Sequence, residues 1–345
     1  MKKLDITKFP VANKQIERFR KCNVKNILEL EFKENSFNAN SDFDFDFLKL
    51  EGFNRIFYLN ETIKEKNLMD NISLDENKII INKDCKHPLL VVNYYDDENV
   101  IFEKDLKYII DNETDILIFE IFISSQKNNF INQKREFSVD RLSNLEYIQL
   151  QKLSFEDFFN IEFKPTIHQE STMKFFNFNF GSQKAYNNFD INLDFPNSTF
   201  EMEGLTNISQ KQEVANIVNT IHNGKDTNST INVNHILDGN SHGIFEVIAR
   251  VNHGANNSNV IQSSKTTLLS DDAIINANPR LEIFIDELKA SHGATTGSLD
   301  EDILYYLQSR GLSKKQASKM MLDAIENKIL EKISNETVVK FIKEI

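Results

Sequence analysis

The stretch Asn278–Arg310, NPRLEIFIDELKASHGATTGSLDEDILYYLQSR, is where an extended chain gives way to a helix, and its reading divides the protein. Leu281, Ile283 and Ile285 alternate with Glu282, Phe284 and Asp286, the period-two signature of a strand with one face toward a core. Ser291-His292-Gly293 follows at what reads as a strand end, where small neighbours leave the imidazole approachable. Ser298, with Glu301 three residues on, reads as a capping box that satisfies backbone N–H groups at a helix start. The helix then presents Leu299, Ile303, Tyr306 and Leu307 on one face, includes Arg310, and stops at Gly311.

Working upstream, the chain from about Ile79 to Ile285 is built of short alternating segments separated by Asn, Asp, Gly and Ser. Phe176–Phe180, Ile191–Phe195, Thr199–Glu203 and Phe245–Val251 are the clearest. Such segments recur about every 8 to 20 residues, which suits stacked coils in a solenoid or strands in a sandwich, and the spacing alone leaves both open. Before this region, Phe9, Ile16, Phe19 and Val24 at near-helical spacing predict helix over residues 1 to about 35. The run from Ser36 to Gly52 interleaves Asp with Phe43, Phe45 and Phe47 and reads equally as a strand or as an acidic surface segment. A hairpin-like piece around Arg55–Tyr58 and a short helix near Glu61–Met69 complete the N-terminal unit.

Downstream, Ser313 and Gln316 form a second capping-box pattern ahead of a stripe of Ala317, Met320, Met321, Ala324, Ile325 and Ile329. A third short helix from Glu336 offers Val338, Val339, Ile342 and Ile345. Three short amphipathic helices make a thin core and leave apolar surface for a partner. The expected organisation is a helical region over 1–75, a β core over 76–296 and a helical region over 297–345.

A formal net charge of −12 argues against a nucleic-acid backbone as partner, because such binders concentrate Lys and Arg. No apolar run approaches the roughly 20 residues that cross a bilayer, and MKKLDITKFPVANK lacks the apolar stretch of a signal peptide, so a cytoplasmic protein is expected. The two cysteines, Cys22 and Cys85, are far apart and form no disulfide framework or four-thiolate site. Phosphate-loop, dinucleotide, zinc-protease and nucleophile-elbow patterns are all missing. His222, His235, His242 and His253 read as turn or surface imidazoles, Asp271-Asp272 as a polar turn, and Met320-Met321 as helix core.

The run LLSDDAIINANPRLEIFIDELKASHGATTGSLDEDILYYLQSRGLSKKQA, Leu268 to Ala317, resembles the C-terminal signature of the SufD branch of the SufB/SufD family of iron–sulfur cluster assembly scaffolds. HILDGNSHGIFEVIARVNHGANNSNVIQSSKTT, from His235, resembles the family as well, and FPVANKQIERFRKCNVKNIL is a fainter echo of its opening helix. The resemblance implies a mainly β fold: a right-handed parallel β-helix core with helical N-terminal and C-terminal regions. It implies a non-enzymatic subunit that forms a heterodimer with a SufB-like subunit through its last strands, so that Leu281, Ile283, Ile285 and His292 fall at that interface. It also implies that a SufC-like ATPase binds the C-terminal helices through Leu299, Ile303, Tyr306, Leu307, Arg310, Met320 and Met321. The motif SHGAT places on His292 the family's iron or nascent-cluster ligand, with the cluster transient and shared with SufB, and no cofactor held by this chain alone.

Two departures matter. Where the family often has a cysteine just before the Ser-His pair, this chain has Ala290, and near Lys265, where SufB would show its cluster cysteine, there is none. The second places the chain with SufD rather than SufB. Whether a flavin takes part in the complex is left open. Readings of another class are a stand-alone β-helix enzyme acting on a polysaccharide, with Asp271 and Asp272 as its carboxylates, and a SufB-like homodimeric scaffold.

Overall fold

The computed structural model of the protein describes residues 2–33 and 46–345. Phe43 and Phe45 of the Asp/Phe run lie outside the described residues, and Phe47 sits exposed in a single turn, Asp46–Leu48.

Nineteen strands follow in the described chain. The first four are β1 (Asn54–Leu59), β2 (Thr62–Asn67), β3 (Ile72–Asp75) and β4 (Lys78–Ile81). The next eight are β5 (Leu89–Tyr95), β6 (Ile101–Ile110), β7 (Asp115–Ser124), β8 (Phe130–Val139), β9 (Asn144–Lys152), β10 (Phe158–Ile167), β11 (Thr172–Asn179) and β12 (Lys184–Leu193). The remainder are β13 (Thr199–Ile208), β14 (Glu213–His222), β15 (Asn228–Leu237), β16 (His242–Val251), β17 (Ser258–Leu268), β18 (Ile274–Ile283) and β19 (Leu288–Gly297).

From β5 onward the odd-numbered strands stack in one parallel sheet and the even-numbered strands in another; each pairs with the strand two before and two after it, except that β5 follows β1 and that β18 and β19 end their sheets. This is a parallel solenoid with two strands per coil. Of the two arrangements that the strand spacing allowed, stacked coils and not a sandwich are found. The turns between strands repeatedly place Asn, Asp, Glu, Gln or Ser at positive φ, as at Asn128, Asn197, Asp226 and Asn257, because a tight corner requires the left-handed region that Asn tolerates best.

In-register stacking puts chemically similar residues above one another. Leu89, Ile118, Tyr147, Phe175, Met202 and Ile231 form one buried column in the first sheet. With Phe163, Phe189, Val218 and Val247 of the second sheet they make the inner core. The outward-facing residues of each sheet are covered separately. On the second sheet lies the N-terminal segment, with Phe9, Val11, Phe19 and Ile27 packed on Phe130, Phe158, Tyr186 and Ile244. On the first lie α-helices that end the chain, with Ile329, Leu330, Val338 and Ile342 packed on Phe119, Ile148, Phe176 and Leu205.

The N-terminal segment departs from expectation. Residues 2–33 hold three-residue 3₁₀ turns and one four-residue helix, α1 (Lys25–Leu28), since Phe9 and Phe19 are buried by the sheet below rather than along a helix stripe. Ile16 is exposed. The expected helix near Glu61–Met69 is strand β2, paired antiparallel with β1, so only the hairpin part of that reading holds. The region 1–75 therefore also contains β1 to β3.

The C-terminal helices are α2 (Glu301–Ser309), α3 (Lys314–Leu330) and α4 (Glu336–Glu344). The Ser313–Gln316 capping box forms in full, while Ser298 caps nothing: Asp300 caps α2 by accepting from the backbone N–H groups of Asp302 and Ile303. A carboxylate at the cap also meets the positive end of the helix dipole, an advantage a hydroxyl lacks. Leu299 consequently lies before α2, and Met320, read as helix core, is exposed.

Candidate functional site

The last coil is the least covered part of the β region. Strands β18 and β19 each have a strand partner on one side only, β16 and β17 respectively, and end their sheets. Every residue of β19 except Leu288 is exposed. Two adjacent edge strands thus present free backbone N–H and C=O groups at one end of the solenoid, a template for pairing that folded proteins ordinarily cover or blunt.

His292 is not at a strand end. It stands in the middle of β19, register-paired with Gln262 of β17, which is paired with Ile231. Residues in one column of an in-register parallel sheet share a face. His292 is therefore the top of the buried column Leu89–Ile231: six coils of apolar side chains, then buried Gln262, then an exposed imidazole over the interior. Ala290 and Ala294 flank it on the same face, one paired with Val260 and the other with Ser264. Small side chains on either side keep the ring accessible, and the glycine after it has open space where a Cβ would be.

The other expected interface residues divide. Leu281 and Ile285 are half-buried and pack with Leu288 on Ala249, Val251 and Val260, closing the interior beside His292, whereas Ile283 is exposed. Ile285 lies in the turn after β18 rather than in the strand. The edge is fixed by charge: Arg280 bonds Glu246 at 2.6 Å and Glu17 of the N-terminal segment at 3.0 Å, and Asn278 donates to Glu246. Burial raises the Glu246 carboxyl above its ordinary range, and these donors oppose the shift.

Close by along the chain, α2 buries Leu304 and leaves Ile303, Tyr305 and Tyr306 exposed, with Met320 of α3 exposed as well. Arg310 stacks over Tyr306 at 5.3 Å. Leu307 and Met321 are half-buried. Aromatic and Met side chains in water at one helix pair are the composition of a docking surface.

Two of the remaining histidines are buried, contrary to expectation. His222 bonds Thr227 and Ser229 at 2.8 Å each, and His235 lies 3.4 Å from Ser264; burial pulls both imidazoles down to about 4. They are interior because inward positions of a solenoid recur at a coil's length, a period that local patterning does not reveal. His242 is half-buried against Glu213 at 3.1 Å, and His253 neighbours Phe284. Cys22 and Cys85 are buried, and burial pushes both thiols up to about 12, so neither is an available thiolate at neutral pH. Asp271 and Asp272 are exposed in the turn between β17 and β18.

A buried ion pair is the main site residue set that sequence patterning missed. Arg135 donates to Glu120 at 2.9 and 3.0 Å, both fully buried, while Glu120 also accepts from Asn93, Tyr108 and Tyr147. In the sequence, Glu120 only interrupts an apolar run.

Among the described residues no group of three or more His, Cys, Asp or Glu side chains could hold a metal ion, and no helix is long and apolar enough to cross a membrane. His292 by itself offers one nitrogen donor, fewer than a metal site needs.

Comparison with known proteins adds to this geometry. Residues 94–325 match the family model for the SufBD core domain of the SUF iron–sulfur cluster assembly system. The chain is similar to the iron–sulfur cluster assembly protein SufD of Bacillus subtilis, at 33% identity over 35% of this chain and 28% of that protein. It is similar to SufD of Escherichia coli, at 25% identity over 64% of this chain and 52% of that protein. A SufBD family protein of Synechocystis, slr0076, is 32% identical over 44% of this chain and 37% of its own length. The chain thus spans about half or less of the length of these curated relatives.

Proposed function

The chain belongs to the SufB/SufD family of iron–sulfur cluster assembly proteins, and on that premise we propose that it is a SufD-like scaffold subunit whose open solenoid end docks a SufB-like subunit. Its role is architectural rather than catalytic. The solenoid coils to the right, the hand that parallel crossover connections adopt. The observation that supports the docking most strongly is the pair of uncovered edge strands, β18 and β19, whose inward column ends in His292.

In this reading β19 and β18 extend into the partner's sheets, and Ile283 joins the contact while Leu281 and Ile285 hold the last coil in shape. His292 supplies one nitrogen ligand to iron or a nascent cluster, the cargo of the assembly, and the partner supplies thiolates. Ala290, which faces the same way, adds no donor. The face formed by Ile303, Tyr305, Tyr306, Arg310 and Met320 receives a SufC-like ATPase, with Leu299, Leu307 and Met321 beneath it. Movement of that ATPase then reaches the edge along a short path, since only Ser298, Leu299 and Asp300 separate β19 from α2.

Ala294→Lys tests the docking. It puts a charge on the inward face of an edge strand, a device that blocks pairing without disturbing an edge already in water. On co-expression with a cysteine-bearing paralogue and the ATPase, the variant should fold with unchanged thermal stability, lose the paralogue at least about tenfold and keep the ATPase. Retention of the paralogue at wild-type level would remove the edge from the interface.

A further inference from the structure

One inward column of the first sheet is polar throughout its second half. Gln151, Asn179, Thr206, His235, Thr266 and Thr296 are register partners from coil to coil, and all but Thr296 are buried. Four of them bond the protein through one side-chain atom. Gln151 accepts from the Gly181 N–H, Asn179 accepts from Asn187 at 3.0 Å, Thr206 accepts from Asn216 at 3.1 Å, and His235 uses Nδ1 toward Ser264. The second polar atoms Gln151 Nε2, Asn179 Nδ2 and His235 Nε2, and the hydroxyl Thr266 Oγ1, have no hydrogen-bond partner among the described residues. Gln262 Oε1, two inward positions from Thr266 on β17, and Asn187 Oδ1, on the facing sheet, also lack partners.

A single such atom would be an imperfection. Orphaned donors and acceptors at four of five consecutive buried rungs of one column are a pattern, and leaving each dry costs desolvation that nothing in the apolar core returns. Rungs are about 4.8 Å apart, and side chains on successive rungs can bond directly, as Gln149 does to Asn177 at 3.2 Å on the adjacent column; the four orphaned atoms make no such bond, and a water between rungs is of the right size to reach them. The column emerges at Thr296 on β19, four residues beyond His292 on the same strand.

We propose that this column lines a file of internal water molecules running from Gln151 to the open end of the solenoid. The ligand is water itself, held by an amide N–H, an imidazole nitrogen and hydroxyls in turn. The file gives the interior a wet seam beside an otherwise apolar core, and connects the buried His235 ring with the exposed edge. The inference does not depend on what docks at that edge.

His222 provides a matched control. It is as buried as His235 and its pKa is pulled to the same value, but both its ring nitrogens are bonded to hydroxyls of the protein. In the full chain at neutral pD, hydrogen–deuterium exchange at the imidazole Cε1 position, read by mass spectrometry, should be at least about tenfold faster at His235 than at His222. Thr266→Leu, which plugs the column above His235, should remove most of that difference. Equal rates at His235 and His222 in the unmodified protein would overturn the proposal. The milder Thr266→Val gives an independent reading. It raises the melting temperature if the hydroxyl is buried dry, which counts against the file, and lowers it or leaves it unchanged if the hydroxyl holds water.

Discussion

The two ends of the solenoid are built on opposite principles. At the N-terminal end, β2 folds back antiparallel on β1 and β3 on β4, so hairpins close both sheets. Lys104 reaches over the Tyr58 ring and bonds the Glu61 carbonyl, and the interior behind it is anchored by the Glu120–Arg135 pair. The C-terminal end has no hairpin, and β18 and β19 face outward with their edges bare. One end is finished within the chain. The other, held square by Arg280 and the end cluster of Leu281, Ile285 and Leu288, leaves two strand edges unpaired.

That contrast breaks first at the closed end. Arg135→Ala leaves Glu120 buried without its counter-charge, and such a loss costs about 3–5 kcal/mol. Chemical denaturation should show most of the protein's stability gone, whereas His292→Ala at the bare end should leave the unfolding midpoint unchanged. An Arg135→Ala protein of normal stability would mean that the pair is not what anchors the closed end.

A smaller effect follows from Glu61, whose φ of +72° and burial put its carboxyl against the closed end; burial raises its pKa to about 7, and bonds from Gln133 and Glu103 oppose the rise. A carboxyl with a raised folded-state value binds its proton more tightly in the folded protein. Its contribution is therefore present below the ordinary carboxylate value and is lost as pH rises through about 7. Glu61→Gln should flatten the fall in stability between pH 4.5 and 7, and gain up to about 2 kcal/mol at pH 8 with little change at pH 4.5. An unchanged pH profile would show that Glu61 is as hydrated as an open-end carboxylate.

The smallest effect concerns the helix that follows the bare end. Asp300→Ala should destabilise α2 by about 1 kcal/mol while Ser298→Ala does nothing measurable, which hydrogen exchange of the first-turn amides would read. The reverse result would restore the cap that the sequence pattern favours.

The sequence made the β region legible because alternation is a local signal: segments such as Phe245–Val251 and Thr199–Glu203 are strands as read. The strand that opens the quoted stretch was legible too, although it closes at Ile283 and a second strand, β19, holds the histidine. Patterning failed where burial comes from another coil. Phe9 and Phe19 looked helical because their spacing fits a helix, yet a sheet buries them. His222 and His235 read as turn or surface imidazoles because that is where histidine is ordinarily found, and the strands that bury them lie about a coil away. His292 was singled out by its small flanking residues and by family resemblance. Its place at the head of the inner column follows only from the register.

The proposed role of that imidazole is tested most directly by iron and acid-labile sulfide measured in the co-expressed, co-purified complex. With His292→Ala, the complex should purify in wild-type stoichiometry while its iron and sulfide fall by at least about tenfold, the outcome expected of the proposed nitrogen ligand. Wild-type iron and sulfide in an intact His292→Ala complex would contradict the assignment of the open end as the place where cluster atoms are held.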